Sequence, residues 1–320
     1  MEKVDLIYTW VDGNDAEWQK SKQEWQVRCG GELNVQAIAK GRFVDNEELR
    51  YSLRSVEKNM GWINRIHIVT ADQTPAWLNT DHPKINHVSH REILPEEYLP
   101  TFNSTAIEMG LPHIDGLAER FIVANDDMFV LRPITPEFFY NATGLPIARF
   151  GRHISQKKSL YLGKVRNAQR LVQERFGTSP VNHPHHNMDA YLKSDVLACE
   201  AAFGEYVRES MSHRFRSAEE FHRSAWLYYA VAQGRAEERI VEHYSAAKSR
   251  REELLCRLLF RYCTDSKELG LHRGNLACRV RKYNPSLLCL NDTERTSDAN
   301  RREMKRFLER KFPNKSSFEK

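Results

Sequence analysis

The first 150 residues of the chain predict an α/β domain in which a sheet is joined by crossover helices. Strand-like apolar runs alternate there with stretches of helical spacing. Three of the four runs are followed by an acidic residue, and the last is followed by Asp126 and Asp127. Ligands of open α/β sheets bind beyond the carboxyl ends of the strands. The pattern therefore predicts a binding site at that edge.

Four runs are predicted to be strands, and a helix is predicted between the first two. The strand predictions cover residues 4–10, 64–70, 84–89 and 120–125. The helix prediction covers residues 45–59, where Asp45 and Glu48 have the spacing of a capping box. An apolar stripe then recurs along one helix face at Leu49, Leu53, Val56 and Met60.

After residue 150 the pattern becomes mostly helical. Helices are predicted over residues 160–176, 190–211, 218–233 and 250–262, and the last thirty or so residues predict a charged surface helix and a disordered tail. The chain is thus divided into an α/β region (1–150), a helical region (151–290) and a charged C-terminal helix and tail (291–320). The first two regions are expected to line one cleft, so the chain is expected to work as one unit.

Composition bounds the location and partners of the protein. No stretch reaches the ~18 consecutive apolar residues of a membrane span, and no basic-then-apolar export signal begins the chain. These features predict a cytoplasmic protein, with peripheral contact at the inner membrane face left open. The six cysteines include no C-x-x-C pair, which favours free thiols over a disulfide framework. The net charge of +5 suits a phosphate-rich substrate, an anionic lipid or a nucleic acid.

The adjacent acids Asp126 and Asp127 are the predicted metal ligands. Two carboxylates at a strand end suit a hard divalent cation such as Mg²⁺ or Mn²⁺, which prefers oxygen donors and keeps positions open for substrate phosphates. The alternative is an acidic turn that stops the strand.

Arg50 and Arg54 lie four residues apart in the predicted helix. Like charges at this spacing repel unless an anion lies against them. Arg50 is therefore predicted to face a phosphate, whose oxygens match the planar guanidinium. The alternative is a salt-bridged surface with Glu47 and Glu57.

Four blocks together resemble the Stealth family of sugar-phosphate transferases. They are residues 5–15 (DLIYTWVDGND), residues 42–55 (RFVDNEELRYSLRS), residues 99–129 (from LPTFNSTAIE to NDDMF), and the histidine-rich residues 183–189 with the later Arg216 and Ser217. The first three blocks match over roughly residues 4–140 with little departure, and the fourth matches loosely. The family includes bacterial capsular polysaccharide phosphotransferases and the catalytic subunit of the lysosomal-enzyme GlcNAc-1-phosphotransferase.

The resemblance implies a Rossmann-like, GT-A-like sheet that binds a nucleotide-diphosphosugar, with the helical half completing the cleft. It implies transfer of a hexose 1-phosphate, with an N-acetylhexosamine favoured, from a UDP-hexose donor to a saccharide or lipid-linked saccharide acceptor. UMP leaves, and the phosphodiester product belongs to capsular or surface polysaccharide. Asp126 and Asp127 would hold Mg²⁺ or Mn²⁺ against the diphosphate.

The resemblance also implies roles for residues around the cleft. Trp10 would stack on uracil, Gly13 would let the backbone approach the nucleotide, and Glu108 would hold the donor sugar. The alternatives are core packing for Trp10 and a capping role for Ser104 and Glu108. The full set of predicted substrate-binding residues is Trp10, Asp12, Gly13, Asp45, Asn46, Arg50, Asn103, Ser104, Glu108 and Asn125.

The predicted catalytic residues are Asp127, a histidine and Arg216. His183 and His186 both align with the family's general base, and His186 is slightly favoured because Asp189 follows it at the spacing seen in eukaryotic members. The alternatives are a zinc site or a surface cluster without a role. Arg216 would stabilise charge on the transferring phosphoryl group, unless it forms only a helix-entry salt bridge.

Two other functions stay open at this point. A metal-dependent GT-A-type glycosyltransferase would use the same donor but break the C1–O bond and release UDP. The late arginine clusters would suit a basic nucleic-acid or anionic-lipid binding module. Since no nucleic-acid recognition motif accompanies those clusters, nucleic acid is not an expected partner.

Overall fold

The computed structural model describes residues 2–30, 43, 45–241 and 265–320. In chain order the strands are β1 (Val4–Thr9), β2 (Ile66–Thr70), β3 (Ile85–Ser89), β4 (Arg120–Asn125), β5 (Met128–Val130), β6 (Ile147–His153), β7 (Asn182–Pro184), β8 (Asp189–Leu192), β9 (Glu237–Ile240), β10 (Ser266–Gly270) and β11 (Leu287–Asn291). The helices are α1 (Ala16–Cys29), α2 (Glu48–Asn59), α3 (His90–Ile93), α4 (Ser104–Gly110), α5 (Leu160–Phe176), α6 (Lys193–Ala202), α7 (Gly204–Ser212), α8 (Ser224–Ala232), α9 (Leu276–Tyr283) and α10 (Asp298–Lys311).

The main sheet has five strands in the order β3-β2-β1-β4-β8. β1 is parallel to β2 and β4, β2 is parallel to β3, and β8 is antiparallel to β4. The predicted α/β sheet and its four predicted strands are confirmed. Thr9 pairs with Asn125 across β1 and β4. The segments that follow these strands, including Trp10 and Asp126, therefore begin at the same edge.

The main sheet separates two hydrophobic cores, because successive side chains of a strand point to opposite faces. Leu6 and Tyr8 of β1 belong to the core that also contains the apolar stripe of α2. Ile7, between them, belongs to the core formed with α5 and α8. Both faces of β1 are thus buried, as is typical of a parallel sheet.

The second half contains strands that the helical pattern concealed. β8 extends the main sheet, β11 pairs with β10 and β5, and β6 pairs with β7 and β9. The helix predicted over 190–211 is wrong at its start, since β8 runs to Leu192 before α6 and α7. A four-residue buried run is too short to reveal its period. The helix predicted over 160–176 is confirmed as α5, and the one predicted over 250–262 lies outside the described residues.

Helix α2 begins without the predicted capping box. Its N-cap is Glu47, whose side chain makes no capping hydrogen bond. Asp45 instead accepts from the Glu47 backbone N–H at 2.9 Å, and the Glu48 carboxylate is bound by Asn46. The predicted apolar stripe from Leu49 to Met60 is buried as expected.

The predicted disordered tail is wrong, because the residues after α10 pack against the domain. The Phe318 side chain enters the core around α2, and the Lys320 backbone N–H donates to the Trp77 carbonyl at 2.9 Å. The Glu319 carboxylate is fully buried and accepts from Arg50 at 2.6 Å and from Arg54 at 2.7 Å. One aromatic side chain and one doubly paired carboxylate outweigh the charged composition of this segment.

Replacing Glu319 by alanine is expected to lower the free energy of unfolding by about 2–4 kcal/mol, since the largely buried Arg54 guanidinium loses its carboxylate partner and Arg50 keeps only Glu47. Urea denaturation measures the change. Glu96→Ala is the matched control, because Glu96 pairs with Arg91 at the exposed surface, where a much smaller loss is expected. Equal losses in the two variants would show that the packed tail contributes little to stability.

Within the described ranges, no helix is long and apolar enough to cross a membrane. The cysteines of those ranges, Cys29, Cys199, Cys278 and Cys289, are free thiols. Cys256 and Cys263 lie outside the described residues.

Candidate active site

A cavity of about 680 Å³ lies where β1, β3 and β4 end. Both halves of the chain line it, because β8 brings the histidine-rich segment beside β4. Eight predicted site residues meet in this cavity: Trp10, Ser104, Glu108, Asn125, Asp126, Asp127, His186 and Arg216.

Four carboxyl groups interact at the carboxyl edge of the sheet. Burial raises the pKa of Asp126 to about 8, and the charges of Asp127 and Asp45 add to the rise. Burial and the charge of Asp126 raise the pKa of Glu48 to about 8. Burial also raises the pKa of Asp127 to about 7, opposed by a hydrogen bond from Cys289. The carboxyl groups of this cluster therefore do not all ionise near neutral pH unless a bound cation offsets their negative charge.

The donor atoms of this cluster fit a hard divalent cation. They are carboxylate oxygens, and Asp127 Oδ1 is buried yet accepts no hydrogen bond from any described residue. The described ranges contain no group of three or more His, Cys, Asp or Glu side chains arranged to enclose a metal ion. Mg²⁺ is commonly bound by only one or two carboxylates together with substrate phosphates, so a pair such as Asp126 and Asp127 would be enough for it.

In the absence of divalent cations, Asp126→Asn is expected to stabilise the protein at pH 8. The raised pKa of Asp126 means that the folded state holds this proton more tightly than the unfolded state. Its contribution to stability therefore falls as pH rises from about 4 to about 8. Removing the charge should raise the free energy of unfolding at pH 8 by about 1 kcal/mol or more, and by less at pH 5. Urea denaturation in chelator at both pH values checks this, and a destabilised variant at pH 8 would contradict it.

Glu48 is a cavity residue that the sequence analysis assigned only to helix capping. Asn46 holds its carboxylate, with the backbone N–H 2.5 Å from Oε2 and the side-chain Nδ2 2.7 Å from Oε1. Asn46 therefore acts on the site through Glu48 and is not itself among the cavity-lining residues. A signal was present, because α2 carries a second buried stripe that is polar: Glu48, Ser52, Ser55 and Asn59.

The loop that follows β1 packs against other parts of the protein, beside the cavity. The Gln73 side chain holds the backbone N–H and carbonyl of Asp12. A side chain at Gly13 would collide with the Phe43 carbonyl, so glycine is needed there for contact with protein. Burial raises the pKa of Asp45, and the charge of Asp12 adds to the rise. Asp12, Gly13 and Asp45 are not among the cavity-lining residues.

Arg50 is also not among the cavity-lining residues. Its guanidinium is paired with Glu47 at 2.8 Å and with Glu319 at 2.6 Å. The salt-bridged alternative is therefore the arrangement seen, and the expectation that Arg50 faces a phosphate is not met. The packed tail explains the difference, since it supplies a carboxylate that the local sequence could not indicate.

Asn103 is the N-cap of α4. Its Oδ1 accepts from the Thr105 N–H at 3.0 Å, and its Nδ2 donates to Glu220 at 2.6 Å. Because these contacts bury Asn103 completely, its amide serves the fold. Ser104, the next residue, lines the cavity.

Four basic side chains line the same cavity as the carboxylates: Lys164, Arg216, Arg223 and the exposed Arg295. Only Arg216 was predicted. Arg223 is buried, with Nη1 2.8 Å from Asp189 and Nε 3.4 Å from Glu108. Lys164 Nζ is 2.7 Å from Glu220 and 2.6 Å from the Thr105 hydroxyl. The sequence did contain a signal for Lys164, because this charged residue falls at the spacing of the buried apolar stripe of α5.

Glu108 lies among these basic groups. Burial raises its pKa, and the charges of Arg223, Lys164 and Arg216 oppose the rise. Its Oε2 is buried and accepts no hydrogen bond within the described chain. Glu108 Oε2 lies 3.8 Å from His222 Nε2 and thus offers an acceptor inside the cavity that no hydrogen bond occupies, as a hydroxyl-bearing ligand requires.

The structure separates the histidines of residues 183–189. His185 and His186 line the cavity, whereas His183 does not and donates from Nδ1 to the Pro184 carbonyl at 2.9 Å. Burial lowers the pKa of His186, against the charge of Glu268. Burial also lowers the pKa of His185 to about 3, and its Nδ1 pairs with the Ser266 hydroxyl at 2.8 Å. Asp189 pairs with Arg223.

One solved structure with similar chain extent is the galactosyltransferase LgtC in complex with donor and acceptor sugar analogues. It is 10% identical, covers 98% of both chains and has a TM-score of 0.42.

Sequence comparisons give a more specific result. Stealth protein conserved region 1 matches residues 2–25, and conserved region 2 matches residues 42–148. An exopolysaccharide phosphotransferase of Streptomyces coelicolor is 36% identical over 99% of this chain and 51% of its own length. Capsular polysaccharide phosphotransferase SacB of Neisseria meningitidis serogroup A is 29% identical over 99% of this chain and 57% of its own length. The chain thus spans about half the length of these curated relatives. The two conserved regions and an alignment along nearly the whole chain show that this protein belongs to the Stealth family.

Proposed function

We propose that the protein transfers a sugar 1-phosphate from a UDP-sugar to a hydroxyl of a saccharide or lipid-linked saccharide, with release of UMP. The donor sugar is a hexose, with an N-acetylhexosamine favoured, and the product is capsular or exopolysaccharide. One observation carries the proposal: interacting carboxylates and four basic side chains line the same cavity. The phosphotransferase names of the relatives support it. A cytoplasmic location and peripheral membrane contact stay predictions.

The carboxylates and the basic side chains divide the work of binding a diphosphate. Asp126 and Asp127 would hold Mg²⁺ or Mn²⁺, which supplies Lewis-acid stabilisation of the phosphate charge when bound. Glu48 lies close enough for its charge to raise the pKa of Asp127, and a bound cation would relieve this repulsion. Arg216 would stabilise negative charge on the phosphoryl group during transfer.

Glu108 and Arg223 would position the donor sugar. The free Oε2 of Glu108 can accept from a sugar hydroxyl, and Arg223 holds the other oxygen of that carboxylate. Fixing an acceptor in this way orients the sugar before reaction. Aromatic side chains offer a stacking surface for the uracil elsewhere in the cavity: Trp10, Trp18, Phe43 and Phe102.

His186 is the favoured general base. Its lowered pKa keeps the imidazole neutral near pH 7, so that it can take a proton from the acceptor hydroxyl. The hydroxyl oxygen then bonds to the phosphorus that carries the sugar, and the bond from that phosphorus to UMP breaks. His185 is the second candidate, since it also lines the cavity.

Analysis of the released nucleotide tests this function. The purified chain is incubated with Mg²⁺ or Mn²⁺, an oligosaccharide acceptor and a panel of UDP-hexoses and UDP-N-acetylhexosamines. UMP release and a phosphodiester signal in phosphorus NMR are expected. Release of UDP would instead identify a glycosyltransferase. Binding to RNA or anionic vesicles, without turnover of any UDP-sugar, would replace the enzyme with a binding module.

A further inference from the structure

A buried thiol contacts one of the two aspartates from beneath the cavity. Cys289 lies in the middle of β11 and is fully buried. Its Sγ is 3.5 Å from Asp127 Oδ2, within hydrogen-bonding distance for sulfur. Antiparallel pairing places Cys289 opposite Met128, and the Leu290 N–H donates to the Asp127 carbonyl at 3.0 Å. The strand register therefore fixes the thiol against this carboxylate.

The thiol is the donor in this contact. A carboxylate oxygen accepts hydrogen bonds, and the sulfhydryl supplies the hydrogen of this contact. The two oxygens of Asp127 are thereby made unequal: Oδ2 accepts from Cys289, whereas Oδ1 accepts from no described residue.

We propose that Cys289 is a positioning residue, which holds Asp127 Oδ2 so that Oδ1 is presented to the divalent cation. The proposal rests on the function proposed above only in taking Asp127 as a cation ligand. Partners of metal ligands fix the orientation of the ligand, and their loss commonly weakens metal binding 10- to 100-fold. A thiol is a weak donor, so a loss of about tenfold is expected here.

The test measures Mn²⁺ binding to the purified protein by calorimetry, without a sugar nucleotide. Cys289→Ala should weaken binding about tenfold, whereas Cys289→Ser retains a donor and should stay within about threefold of the unaltered protein. Cys199→Ala is the matched control, because Cys199 is equally buried and unpaired with another cysteine but contacts the Ala225 carbonyl. Thermal denaturation verifies that each variant is folded.

Each result decides the proposal. It is overturned if Cys289→Ala binds Mn²⁺ as tightly as the unaltered protein, or if Cys289→Ser is as weak as Cys289→Ala. It is also overturned if Asp127→Ala leaves Mn²⁺ binding unchanged, or if the unaltered protein does not bind Mn²⁺. Because the readout is binding, the expected pattern without any UMP release would support the role of Cys289 and refute only the proposed reaction.

Discussion

Asp127→Ala is expected to lower UMP release from the UDP-sugar at least about 10³-fold and to leave the protein folded. The loss is large because the charge of a bound cation stabilises the transition state, and this stabilisation disappears with its ligand. Removal of divalent ions from the unaltered protein by a chelator should have the same effect, and added Mg²⁺ or Mn²⁺ should restore activity. Initial rates of UMP formation measure both changes.

The fold should survive the Asp127 substitution because this carboxylate is electrostatically unfavourable in the absence of a cation. Its raised pKa reports burial and repulsion by Glu48. Asp72→Ala is the matched control: this acid also follows a strand of the main sheet, but it is exposed and paired with Arg91. It should keep activity within about twofold of the unaltered protein, as expected for a surface substitution. A chelator-resistant enzyme, or a loss below tenfold in Asp127→Ala, would contradict the role assigned to the aspartates.

Arg216→Ala is expected to lower kcat at least about 10³-fold, with a smaller change in the KM for the UDP-sugar. Arginine side chains that contact the transferring phosphoryl group contribute roughly 10³–10⁵ in rate, because charge builds there in the transition state. Arg216→Lys should recover only part of this, since an ammonium lacks the planar fork that matches phosphate oxygens. Steady-state kinetics with varied donor separates the two parameters.

Arg214→Ala provides the comparison for Arg216. Arg214 lies two residues earlier, donates to the Glu97 carbonyl and stacks over Trp25, and it is not among the cavity-lining residues. The kcat of the Arg214→Ala variant should stay within a few-fold of that of the unaltered protein. A loss below tenfold in Arg216→Ala, or equal losses in both variants, would assign Arg216 a structural role.

Local patterns were sufficient to predict four of the five strands of the main sheet, and α2. Strands β1 to β4 appear as apolar runs, and the stripe from Leu49 to Met60 has the helical period. The aspartates at the end of β4 are visible for the same reason, because a buried strand contrasts sharply with adjacent carboxylates. These signals need no information about distant residues.

The remaining site residues depend on pairing between distant segments. Arg223 joins Glu108 across more than a hundred positions, and Cys289 reaches Asp127 only through the pairing of β11 with β5. β8 is too short to show its period, and Glu319 becomes a buried ion-pair partner only once the tail has packed. Periodicity carries no information about such contacts, since it describes each element alone.

Asp126 and Asp127 lie between β4 and β5. Each of these strands pairs with a strand from the chain after residue 150: β4 with β8, and β5 with β11. A polypeptide ending near residue 150 would leave both strands with open hydrogen-bonding edges, which promote self-association. Hybrid proteins assembled from different family members would therefore need to inherit residues 120–130, 189–192 and 287–291 from a single parent. The crossover points of a recombination library should be chosen accordingly.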